Sequence, residues 1–71
     1  MSNEQLKNYH EFCIDLWKYF KEYSAGITEM NSATAVNDGV KLLNRYPNIV
    51  RAEHLIVAVQ TQLECIGRGE S

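Results

Sequence analysis

Between Leu6 and Tyr23 the apolar side chains Leu6, Tyr9, Cys13, Leu16, Phe20 and Tyr23 recur at alternating steps of three and four, and six of the chain's seven aromatic residues lie in this stretch. That spacing is the period of one helix face and does not fit the two-residue alternation of a half-buried strand. Projected at about 100° per residue, Leu6, Tyr9, Phe12, Cys13, Leu16, Trp17, Tyr19, Phe20 and Tyr23 share an arc of roughly 160°. An arc this wide predicts two neighbours for the helix, with Trp17 and Tyr19 at the borders of its buried face. Ser2 and Gln5 have the spacing of a capping box, so the helix should begin near Asn3. Gly26 suits the left-handed residue beyond a helix end, and the first helix is read as 3–25.

A second helix is expected over 32–45, burying Ala33, Val36, Gly39, Val40, Leu43 and Tyr46 and exposing Thr34, Asn37, Asp38, Lys41, Asn44 and Arg45. A glycine on the buried face predicts close backbone approach, here to an aromatic ring of the first helix. Pro47 restricts Tyr46 and stops the segment. Asn48 can cap a third helix over 48–66, where Ile49, Ala52, Ile56, Val59, Leu63 and Ile66 repeat the three-four spacing and Leu55 widens the face. The β-branched run Leu55 to Val59 could be read as a strand, but the helical phase continues on both sides and a lone strand has nothing to pair with. Ile27 and Met30 should fold over one end, Gly67 should end the third helix, and 67–71 should form a flexible tail. The fold class expected is all-α: one domain, an up-down-up three-helix bundle with short connections.

With 71 residues there is room for one thin core, of the kind that seldom supplies more than about 3 to 5 kcal/mol unaided, so dimerisation is an open expectation. The net charge of −2 gives no general attraction for phosphate, which disfavours strongly basic nucleic-acid or anionic-membrane binders. The polar start Met-Ser-Asn-Glu has no apolar targeting segment, and no apolar run reaches the roughly 18 residues of a membrane span, so a cytoplasmic location is expected. In an up-down-up bundle Cys13 and Cys65 would differ in level by roughly 12 Å. A disulfide needs Cα atoms within about 7 Å, so the cysteines are read as buried free thiols.

Candidate sites follow from what the core leaves over. On the first helix Lys7, Lys18 and Lys21 form one stripe and Glu11, Asp15 and Glu22 another, linked through pairs such as Lys7 with Glu11 and Lys18 with Glu22. Ile14 lies among the lysines, flanked by His10 and Lys18, as a small docking spot. On the third helix Val50 and Val57 lie opposite the main stripe, with His54 and Thr61 between them. That second side is either packed under the second helix and the Ile27/Met30 loop or forms a partner surface. His10 and Cys13 have a two-ligand spacing, which does not make a zinc site. No nucleophile or carboxylate is spaced to work with either histidine. No catalytic residue, metal, cofactor or small-molecule substrate is therefore expected.

The leading functional expectation is a non-enzymatic protein-protein interaction module, a homodimeric adaptor or inhibitor of the kind found among small bacterial, phage or mobile-element proteins. Its contact residues would be Ile14, Lys18, Val50, His54, Val57 and Thr61. The alternative is a nucleic-acid-binding dimer that joins two patches of Lys41, Arg45 and Arg51. A helix-turn-helix reading is excluded because Pro47 and Asn48 interrupt the segment where a recognition helix should continue.

Overall fold

The computed structural model of the chain describes residues 1–70. It contains three helices, α1 (Asn3–Glu22), α2 (Ser32–Arg45) and α3 (Ala52–Gly67), and no strand among the described residues. All three pack on one another. The Tyr19 hydroxyl meets α2 at Ala35 while Tyr46, at the far end of α2, returns to Asp15, so α1 and α2 run antiparallel. Gly39 faces Ile56 and Gln60, and the Ile27 N–H after α1 bonds the Leu63 carbonyl near the end of α3. These contacts set the up-down-up order. No helix among the described residues is long and apolar enough to cross a membrane.

The start of α1 is dictated locally. The Ser2 hydroxyl accepts from the Gln5 N–H, and the Gln5 side chain accepts from the Ser2 N–H, closing the capping box. The helix ends at Glu22, short of the expected 25, because Tyr23 and Ser24 already turn and Gly26 takes φ 105°. A Cβ on Gly26 would stand 2.4 Å from the Gly67 Cα, and one on Gly67 would stand 2.3 Å from the Ile27 carbonyl oxygen. The two glycines let the α1–α2 connection lie directly against the last turn of α3. Ile27 is buried there, but Met30 is 98% exposed and does not fold over the bundle end. The Asn31 side chain ties this loop together, accepting from the Thr28 N–H and donating to the Gly26 carbonyl.

The second connection departs further from expectation. Asn48 does not cap α3, which begins at Ala52 after Arg51 in the left-handed region at φ 65°. The Ile49 N–H bonds the Tyr46 carbonyl and the Ala52 N–H bonds that of Ile49. These consecutive turns place Ile49 in the core without a helix. At its far end α3 closes in a Schellman motif: Gly69 is left-handed, its N–H reaches Ile66, and the Glu70 N–H reaches Cys65. Gly69 therefore ends the helix, while Gly67 serves packing. Residues 68–70 of the expected tail bond back to α3, and Ser71 lies outside the described residues.

The core comprises Phe12, Tyr19 and Tyr23 of α1 and its end, Ile27, Ala35, Leu42 and Tyr46 of α2 and its end, and Ile49, Ala52, Ile56 and Leu63. The inward positions of α3 are those the spacing predicts. Those of α2 hold only at Gly39 and Tyr46: its buried line is Ala35, Gly39, Leu42 and Tyr46, while Ala33, Val36 and Val40 face out and Leu43 is half-buried. The close approach at Gly39 is made by Gln60 and Ile56 of α3, not by a ring of α1.

Candidate functional site

The rotation of α1 about its axis decides which surface the protein presents. Three buried tyrosine hydroxyls set it, since a buried hydroxyl without a partner is costly. Tyr19 donates to the Ala35 carbonyl at 2.8 Å and accepts from Gln60 Nε2 at 3.2 Å, linking all three helices. Tyr23 donates to Asp38 at 2.5 Å, and Tyr46 donates to Asp15. Burial is the main reason that all three phenols are held above the ordinary tyrosine range. The facing carboxylates add to it, and Tyr46 is pushed up to about 12. With Phe12 edge-on to Tyr46 at 5.2 Å, these contacts turn α1 toward α2.

The consequence appears on the opposite side of α1. Leu6, Cys13 and Phe20, spaced by seven, form with Trp17 a stripe that no element fully covers. Leu6 is 60% and Trp17 57% exposed, Cys13 is exposed, and Leu16 and Phe20 are half-buried. Trp17 stacks on Phe20 with centroids 5.9 Å apart, and the Lys21 ammonium lies 5.7 Å from the Trp17 ring centroid. One open groove is lined by Cys13, Leu16, Trp17, Phe20 and Val59 of α3. It meets at Cys13 a second groove lined by Leu6, Lys7, Tyr9 and His10. The accessible surface is 5232 Å², against roughly 4,500 Å² for a compact monomer of this mass. The chain exposes more surface than its size requires, as fits its elongated 41 × 21 × 17 Å shape.

A third groove lies between α2 and α3, where Val36, Val40 and Leu43 face Ile56 and Val57 across Gly39. Val57 is 55% exposed and is therefore not covered by α2. Val50, 78% exposed, sits in the turn before α3, so it does not share a helix face with Val57. His54 and Thr61 are exposed on the solvent side of α3, and Ile14 and Lys18 on the outer side of α1. Of the six residues singled out in the sequence as partner contacts, only Val57 lines one of these grooves. Their helical spacing points Leu6, Trp17, Val36 and Val40 inward instead. The breadth of the α1 arc was the available signal, because it exceeds what one seam can bury.

The polar candidates also separate. Lys41 and Arg45 line a hollow together with Glu22 and Asp38, and Arg45 lies 3.7 Å from Asp15, so carboxylates interleave with this basic group. Arg51 is exposed at the left-handed turn. The anticipated Lys7–Glu11 and Lys18–Glu22 pairs do not form, and the three lysines of α1 make no ion pair among the described residues. Cys65 is half-buried beside Arg68 and Cys13 is exposed, so the thiols are free but not buried as expected. Among the described residues no three His, Cys, Asp or Glu side chains are gathered as metal ligands. No family model, curated protein or solved structure matches the chain.

Proposed function

We propose that the chain is a protein-protein interaction module, an adaptor or inhibitor rather than an enzyme, working in the cytoplasm. One observation carries this reading: a helix-long apolar face of α1 and α3 that includes an exposed tryptophan lies uncovered on a very small scaffold. Contiguous exposed apolar surface rimmed by polar groups is the signature of a contact site, and Trp is enriched at the energetic centres of such sites. Free thiols, one of them exposed, suit a reducing compartment.

The α2/α3 groove supports self-association as a second activity. Three half-exposed valines are a small anchor beside the roughly 800 Å² per partner of a stable interface. A dimer formed there alone is weak and concentration-dependent. Binding of nucleic acid by Lys41, Arg45 and Arg51 has less support, because Asp15, Glu22 and Asp38 offset the charge of the first two.

The test is a photo-crosslinking residue placed at Trp17 in one variant and at Thr61 in another. A defined polypeptide adduct at 17 that is missing at 61 is expected. Equal labelling at both positions, or no polypeptide adduct at 17, removes the reading.

A further inference from the structure

We infer that the α1/α3 face receives an amphipathic helix from another protein, one whose apolar ridge is bordered by carboxylates. This inference rests on the interaction-module reading and names the partner's chemistry. Its first support is geometric. Leu6, Cys13 and Phe20 recur every seven residues with Trp17 beside them, the spacing of a two-helix seam. From Leu6 to Phe20 the stripe runs about 21 Å, close to four turns of a partner helix.

The second support is charge. The outer border of the stripe carries Lys7, His10 and Lys21, with Lys18 one step farther round. Lys7 and His10 line the groove itself, and Lys21 lies over the Trp17 ring. No carboxylate lies on this border. Glu11, Asp15 and Glu22 fall on the other flank, toward α2, where Asp15 is engaged by Tyr46 and Arg45. The inner border is neutral where α3 meets the groove, at Val59. Among the described residues the lysines of α1 have no ion partner. An occupant with acidic residues along one edge completes this arrangement.

A second copy of the chain does not. A two-fold axis lying across α1 sets each lysine border against its own image, and one lying along α1 sets it against the neutral border of α3. Neither arrangement gives complementary charge, and the first is repulsive.

The chain's single tryptophan reports directly on occupancy of the face. The full chain is titrated with synthetic leucine-ridged helices of about three heptads, bordered by Glu, Gln or Lys. The expected result is a blue shift of Trp17 emission with the Glu helix, weakened by salt. The variant Lys7→Glu/Lys21→Glu should lose about tenfold in affinity for the Glu helix and gain for the Lys helix. Both lysines are exposed, so this variant should fold, and a circular dichroism melt checks that.

Equal binding of the Glu and Lys helices, or an unchanged preference in the charge-swapped variant, overturns the acidic partner while leaving the interaction module standing. A concentration-dependent Trp17 shift without peptide, abolished by Leu6→Asp, assigns the face to a second copy and likewise overturns it. Partition onto phosphatidylserine vesicles with no response to any peptide overturns both this inference and the reading beneath it. No response to any of these probes overturns the inference and leaves the module to the crosslinking test.

Discussion

Substituting Gly67 by alanine separates local propensity from tertiary packing, because the two predict opposite signs. Gly67 is the last residue of α3. By helix propensity alone, alanine there raises stability by up to about 1 kcal/mol. The added Cβ, however, would stand 2.3 Å from the Ile27 carbonyl oxygen and 2.9 Å from its carbon. Both are backbone atoms, and the same residue is tethered by its N–H to the Leu63 carbonyl at 2.9 Å. Relief requires lifting the loop, which forfeits a hydrogen bond worth about 0.5 to 1.5 kcal/mol. It also uncovers part of Ile27, whose full burial contributes about 1.5 to 3 kcal/mol. After the propensity gain, a net loss of about 1 to 2 kcal/mol remains. For a domain of this size that lowers the melting temperature by roughly 5 to 15 °C. Gly39→Ala is the control: its Cβ meets the end of the flexible Gln60 side chain at 2.4 Å and Ile56 Cγ2 at 3.3 Å, both side-chain atoms, so the helix gain is offset mainly by the Gln60–Tyr19 bond and stability should stay within about 1 kcal/mol. Urea titrations followed by circular dichroism measure both variants. A Gly67→Ala protein as stable as the parent would refute the packing argument.

Arg51→Gly should stabilise the fold by about 1 kcal/mol, since a side chain in the left-handed region carries a strain that glycine avoids; a lower melting temperature would contradict this. Raised pH should unfold the protein. The folded state holds the Tyr19, Tyr23 and Tyr46 phenols above their unfolded values, so it keeps protons the unfolded chain releases. Their contribution is complete below about pH 10 and declines as pH rises toward and through the folded values, about 12 for Tyr46. Phenolate absorbance from these residues should therefore rise together with loss of helical signal; phenolate formation in all three without unfolding would refute the burial argument. Val57→Glu should leave the melting free energy within about 0.5 kcal/mol because the site is half exposed. In light scattering it should abolish any concentration-dependent mass increase of the parent protein; an undiminished increase would place self-association elsewhere.

Much of the fold is local chemistry and was legible in the chain. The Ser2/Gln5 capping box starts α1, Pro47 follows the end of α2, and Ala52, Ile56 and Leu63 mark the inward side of α3. What stayed hidden was phase. In α2 the sets Val36/Val40/Leu43 and Ala35/Gly39/Leu42/Tyr46 both repeat at helical spacing. Periodicity alone cannot choose between two such stripes. The choice falls to the second because small Ala35 and Gly39 admit close contact, leaving the valines outside.

The candidate site has the same origin. Sequence determined that α1 carries more apolar surface than one seam can bury, and that its lysines and carboxylates lie on different flanks. It could not say which part of the arc would be covered, because that depends on bonds between residues far apart in the chain: Tyr19 with Ala35 and Gln60, Tyr23 with Asp38, Tyr46 with Asp15. A buried hydroxyl must find an acceptor, and these bonds tie α1 to α2 from both sides: Ala35 and Asp38 of α2 accept from Tyr19 and Tyr23, and Asp15 of α1 accepts from Tyr46. Tertiary structure therefore turned α1 toward α2 and left Leu6, Cys13 and Trp17 facing outward, next to the lysines.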